Sequence, residues 1–145
     1  MSATATAEHT VNAPLPTAFA RFIDYSSWDL WAPKGFRPIS GPSRALREGD
    51  RFKMAIGRGP GLPVELTVIR LRPNKEICWK GGVAGVLVGE HSFFFEDEGG
   101  KTHMRSEEPF SGVLAKGLLS GVLEREAART GLHTLTNFAA YLEKT

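Results

Sequence analysis

Two residues of this chain, His91 and Glu108, have the types and the spacing for acid–base chemistry. His91 alternates with Phe93 and Phe95, and on an extended strand every second side chain shares a face. The histidine should therefore enter an apolar interior beside two rings, as an acid, a base, a ligand anchor, or a histidine satisfied by one core hydrogen bond. Glu108 alternates with Met104, Ser106 and Phe110, so it too should point inward while Arg105 and Glu107 face solvent. A buried carboxylate is costly unless it is paired or its pKa rises. His91 on the preceding strand is the expected partner, and Arg125, within the apolar stripe of the last helix, a second. The pair reads either as a catalytic dyad or as a structural ion pair closing sheet on helix.

Other chemistry has less support. Glu90-His91 does not begin an HExxH motif, and His9, His103 and His133 are too dispersed for zinc, so no metal site is expected. Neither GRGPG nor GGVAG is followed by the lysine and hydroxyl residue of a phosphate loop. No Gly-x-Ser-x-Gly elbow is present, and Cys78 alternates with Trp79 and should face outward, so no nucleophile stands out. The glycine pairs read as bulges and hairpin ends of a bent sheet. Of the three tryptophans, Trp79 beside Ile77 should be mostly core. Trp31, next to the Pro33–Phe36 loop, should edge an entrance.

The elements that must position these residues follow from periodicity. Thr4 to Val11 can be a strand; Pro14 and Pro16 stop it, and Thr17 can cap a short helix through Ala18, Phe19, Phe22 and Ile23. A second short helical turn fits Trp28 to Trp31. From Pro38 to Gly112 the punctuation is that of hairpins: Glu48-Gly49-Asp50, Gly57 to Gly61, Pro73-Asn74 and Asp97 to Gly100 separate runs that include Phe52-Met54-Ile56 and Val64-Leu66-Val68. About six to seven strands in one antiparallel meander result. Beyond it the period becomes helical, from about Val113 to Glu143. Leu114, Leu118, Ala128, Leu132, Leu135, Ala139 and Leu142 lie on one face together with Gly117 and Gly121. Val113, Leu119, Val122 and Leu123 are apolar but point elsewhere, which suggests a homodimer or a covering loop.

Composition sets the bounds. The 145 residues, 41% of them hydrophobic, suit a single domain over 1–145 with its own core. A net charge of +2 with basic residues scattered singly argues against nucleic acid as a partner. No apolar run approaches the roughly 18 residues of a membrane span, so no membrane insertion is expected. The opening MSATATAEHT has no signal-peptide pattern, and the one cysteine cannot form an internal disulfide, so the expected location is cytoplasmic.

The order of elements and several strings resemble the SRPBCC (START-like, helix-grip) superfamily. They are VNAPLPTAFARFIDYSSWDLW, ISGPSRALREGDRFKM, LRPNKEICWKGG, GEHSFFFEDEGGKT and SEEPFSG, which together span most of the chain. The chain looks most like the small bacterial polyketide cyclase/dehydrase-type members. The resemblance implies an α+β helix-grip fold, a curved antiparallel sheet wrapped around the long C-terminal helix, with two short helices after the first strand. It also implies an internal pocket for a lipid-, polyketide- or aromatic-like molecule. Ligand contacts would come from Trp31, Met54, Trp79, His91, Phe93, Phe95, Met104, Glu108 and Phe110 on the sheet side. Leu114, Leu118, Gly121 and Arg125 would supply them from the helix. The leading expectation is a binding or carrier protein for a small hydrophobic ligand, with no cofactor. The alternatives are a cofactor-free cyclase or dehydratase using His91 and Glu108, and a co-chaperone-like protein-binding domain using the apolar start of the last helix.

Overall fold

Hairpin-spaced turns make antiparallel neighbours of successive strands, and only the first strand breaks that rule. The computed structural model describes residues 4–144, apart from the side chain of Leu118. Strand β1 (Thr4–Val11) is followed by helix α1 (Leu15–Phe22), a 3-10 turn at Tyr25–Ser27 and the single helical turn α2 (Trp28–Trp31). Strands β2 (Phe36–Ser40), β3 (Arg51–Ile56), β4 (Leu62–Arg72), β5 (Glu76–Val83), β6 (Leu87–Glu98) and β7 (Lys101–Ser111) come next. They form one antiparallel sheet in the order β1-β7-β6-β5-β4-β3-β2, so the chain's first strand closes on its last. Register shifts between Pro38 and Ser40 and between Val68 and Arg70 mark irregularities that bend the sheet. It curls as a half-barrel around helix α3 (Ser120–Glu143). None of the described helices is long and apolar enough to cross a membrane.

Two local expectations need correction. Helix α1 starts at Leu15 after an extended Pro14, with Pro16 in its first turn, where a missing N–H costs nothing; Thr17 is inside the helix and caps nothing. The final helix does not begin at Val113. Gly112 (φ 101°) and Gly117 (φ 76°) adopt left-handed backbone that breaks a right-handed helix. Val113–Ala115 and Gly117–Leu119 are therefore separate 3-10 turns, and α3 starts at Ser120. Leu114 and Gly117 thus lie outside α3 and do not share its face.

The core lies between the sheet and the C-terminal half of α3. Gly131, Thr134, Leu135, Phe138 and Leu142 are buried, at the three-and-four spacing of one helical face. Leu132, expected among them, is 41% exposed. Phe22 is the hub of the aromatic cluster, with its ring centroid 4.8 Å from Phe93 and 5.0 Å from Phe138. Trp28 lies 5.3 Å from Trp79 and donates its indole N–H to the Phe22 carbonyl at 2.8 Å, so the polar atom of the buried ring is satisfied. A smaller cluster at the other end joins Ala5, Phe110 and Ala115 to Leu87, Leu123, Ala127 and Ala128.

The outer face of β5 also departs from expectation. Cys78 does alternate with Trp79, yet it is fully buried. Ser92, opposite it on β6, and the nearby Arg70–Glu76 ion pair at 2.8 Å lie on the same side. Burial pushes its thiol above the usual cysteine value, which leaves it a poor nucleophile.

Candidate functional site

Along the concave face of β5 and β6 the paired residues are Ile77 with Phe93, Trp79 with His91, Gly81 with Gly89, and Val83 with Leu87. The first two pairs fill the space under α3 with rings. At the third, two facing residues have no side chain, and the filled core gives way to a cavity of about 700 Å³. Its walls are the Gly81–Gly89 step, Ile56, Val64 and Leu66 from β3 and β4, Leu87 and Phe110 from β6 and β7, and Leu123 and Ala127 from α3. Helix α3 is thus seated on the sheet from Gly131 onward and stands over the cavity before it.

His91 sits where core meets cavity. Its ring stacks on Phe93 at 4.3 Å and meets Trp79 edge-on at 5.7 Å. Nε2 lies 2.6 Å from Ser106 Oγ, and Nδ1 lies 3.5 Å from Glu108 Oε1. The register explains both neighbours. Gly89 pairs with Phe110 and Ser92 with Glu107, which sets His91 opposite Glu108 and diagonal to Ser106. Burial lowers the His91 pKa to about 3, so at neutral pH the imidazole is uncharged. Burial also raises Glu108 to about 7, although its side chain keeps 22% exposure towards the cavity. A neutral imidazole 3.5 Å from a carboxyl near its midpoint is a polar contact rather than an ion pair. When Glu108 is ionised, the consistent tautomer has Nδ1–H facing the carboxylate and Nε2 accepting from the Ser106 hydroxyl.

Of the expected contacts among the described residues, His91, Glu108 and Phe110 line the cavity and the others do not. Met54, Trp79, Phe93, Phe95 and Met104 are packed in the core beneath the cavity. Met54 is held by the Tyr25 hydroxyl, which approaches its sulfur at 3.7 Å. Trp31 does not edge an entrance: α2 turns it onto the C-terminal half of α3, 4.9 Å from Phe138, where it is 5% exposed. Leu114 is on the 3-10 turn ahead of α3 and exposed, Gly121 and Arg125 are exposed on α3, and none of the three lines the cavity. Arg125 gives Glu108 no ion pair; α3 faces the cavity with Leu123, Glu126, Ala127, Arg129, Thr130 and His133. The side chain of Leu118 lies outside the described residues.

Several contributors are legible only with the register in hand. Ser106 was visible as an inward residue, but its bond to His91 crosses strands. A Cβ on Gly89 would lie 2.8 Å from Glu108 Oε2, and one on Gly81 would lie 2.3 Å from Leu66 Cδ2. These glycines make room for the Glu108 and Leu66 side chains. The available signal was a Trp-x-Gly on one strand facing a Gly-x-His on the next.

The site's chemistry is that of an apolar chamber with one neutral imidazole and one carboxyl able to donate or accept a proton. Among the described residues no group of three or more His, Cys, Asp or Glu side chains could hold a metal ion.

No protein-family model matches the chain, and no curated protein matches it. Solved structures do resemble it. A hypothetical protein of Helicobacter pylori superposes with TM-score 0.75 at 18% identity, covering 97% of this chain and 88% of that one. A START superfamily protein of Mycobacterium smegmatis gives 0.73 at 14% identity, covering 97% of each chain. The structure of Ara h 8.0201 gives 0.70 at 11% identity, covering both chains completely. Identities this low speak for shape alone. The half-barrel of seven strands, the paired short elements after β1 and the enclosed final helix are therefore those of the START-like helix-grip fold.

Proposed function

We propose that the protein binds a small hydrophobic molecule in the cavity and carries it, with His91 and Glu108 orienting the ligand. The observation that supports this most is the Gly81–Gly89 step, which stops the aromatic packing and leaves about 700 Å³ bounded mainly by aliphatic and glycine residues. That volume falls within the roughly 300–1,000 Å³ of small-molecule sites, which take affinity from apolar contact and orientation from a few polar groups. Glu108 and His91 are such groups. Native mass spectrometry of the purified protein tests the reading: a copurified apolar molecule that is lost on filling the cavity supports it. Failure of any apolar probe to displace a cavity-bound dye counts against it.

A second reading, a cofactor-free cyclase- or dehydratase-type enzyme, is favoured by one specific observation. Glu108 is raised to about 7 by burial and faces the cavity, which suits a general acid or base at neutral pH. His91, uncharged and already bonded to Ser106, would then be a positioning residue and not the proton carrier. Turnover of a polyketide-like or β-hydroxy-carbonyl compound that disappears in Glu108→Gln would promote this reading over the carrier.

Self-association belongs to the same proposal. Val113, Leu119 and Val122 are exposed and apolar, whereas Leu123 belongs to the cavity wall. Any dimer surface is better probed by Leu119→Asp with Val122→Asp, which leaves the cavity intact.

A further inference from the structure

We propose that the molecule taken up is an amphipathic acid, with an apolar body in the chamber and a carboxylate or phosphate head at its mouth. The inference rests on the carrier reading and adds the chemical class of the ligand. Lys34, Arg58, Arg129 and His133 all line the cavity, and all are exposed, which sets them at its opening. They come from three separate parts of the fold: the loop between α2 and β2, the loop between β3 and β4, and two successive turns of α3. A Cβ on Gly35 would lie 3.3 Å from Thr130 Oγ1, so the Lys34 loop rests against the turn of α3 that follows Arg129. Arg129 and His133 are four residues apart and share one helical face.

The carboxylates of the same cavity neutralise only Arg58 of this group. Glu126 is engaged by Arg58 at 2.9 Å. Glu108 is deep in the chamber, facing His91. Among the described residues, the side chains of Lys34, Arg129 and His133 make no hydrogen bond or ion pair. A chamber with apolar walls, a hydrogen-bonding floor and uncompensated positive charge at the rim fits an anion that keeps its charge at the surface while its hydrocarbon is buried. It disfavours a cationic amphiphile, and it gives a neutral one nothing at the rim.

The test is displacement of a cavity-bound hydrophobic dye by dodecanoate, dodecyl phosphate and dodecanol, at low salt and mildly alkaline pH, each below its aggregation limit. The wild type should bind the two acids about tenfold more tightly than the alcohol, the worth of a charge-assisted contact. In Lys34→Gln combined with Arg129→Gln, that ratio should collapse towards one, and Lys34→Arg should preserve it. Added salt should erode the preference of the wild type, because rim charges are screened. A preference confined to dodecyl phosphate would identify the head as phosphate, and a preference for both acids would admit the carboxylate. Dodecanol binding as tightly as both acids would overturn the inference and leave the carrier reading standing. A wild type from which none of the three displaces dye would overturn both. Circular dichroism melts of each variant separate lost binding from lost folding.

Discussion

Gly81 and Gly89 face each other across β5 and β6, one step along the sheet from the Trp79–His91 pair, and the cavity begins at that step. The space beside the two α-carbons is taken by the Leu66 and Glu108 side chains, so the cavity beyond them can be refilled from the opposite wall, which should weaken binding. Ala127 is on that wall. Ala127→Trp should reduce hydrophobic-dye binding by about tenfold or more at a stability cost of about 1–3 kcal/mol, since Ala127 also packs against the Ala5, Phe110 and Ala115 cluster. Unchanged dye binding in a folded variant would show that the dye binds elsewhere.

The two faces of the C-terminal half of α3 should respond differently to truncation. Leu135 is fully buried under the sheet, and Leu135→Ala should cost about 2–5 kcal/mol in denaturant melts. Leu132, 41% exposed, should cost under about 0.5 kcal/mol when replaced by alanine. Equal losses would contradict the seating of the helix.

Gly131 approaches the sheet closely enough that a Cβ would lie 2.9 Å from Ser106 Oγ. That hydroxyl is already fixed 2.6 Å from His91 Nε2 and cannot yield without breaking the bond. Gly131→Ala should therefore destabilise by about 1–3 kcal/mol, against the gain of up to about 1 kcal/mol that alanine normally brings to a helix. In a Ser106→Ala background the same change should cost far less. The double-mutant cycle measures that difference, and additive effects would deny the contact.

Burial opposes charge on both members of the His91–Glu108 pair, with opposite consequences for pH. Glu108 rises from 4.5 to about 7, so its contribution to stability is complete below 4.5 and is lost as pH climbs through about 7. His91 falls from 6.5 to about 3, so its contribution is complete above 6.5 and is lost as pH drops through about 3. Between 4.5 and 6.5 the slopes oppose each other. Urea melts of the wild type should lose stability between about pH 6 and about pH 8, and Glu108→Gln should remove that loss while keeping the acid-side decline. A Glu108→Gln profile parallel to the wild type would mean the carboxyl is not desolvated.

Glu108→Gln also separates the two functional readings. If the carboxyl orients a ligand, the amide should weaken a polar-headed ligand by about 1–3 kcal/mol and leave purely apolar probes unchanged. If it transfers protons, a turnover step should slow by about a hundredfold or more while binding survives. Titration and single-turnover assays on one preparation distinguish the outcomes.

Alternation and turn chemistry are local, and what depends on them was legible in the sequence. The hairpin strands, the inward direction of His91 and Glu108, and the two short helices follow from spacing alone. The start of α3 was not legible, because Gly112 and Gly117 reset the helical phase through backbone angles that a periodicity count cannot see. Leu114 accordingly falls outside α3, whereas Gly121 and Arg125 lie within it on the exposed side that also carries Leu132. Trp31 was misplaced for a different reason: its position depends on Phe138, more than a hundred residues later in the chain. The cavity itself needed the register of β5 against β6, since each glycine alone reads as a bulge or a hairpin end.

The seating of α3 from Gly131 onward divides one helix into two territories that can be altered independently. Changes to the buried face after Gly131, at Thr134, Leu135, Phe138 or Leu142, disturb the core packing and are felt as lost stability, so few should be tolerated. Changes before it reshape a wall whose packing is confined to the smaller cluster around Ala5, Phe110 and Ala115. A lineage carrying this fold can therefore acquire a taste for a new molecule through Leu123, Glu126, Ala127 or Thr130 while its scaffold stays intact.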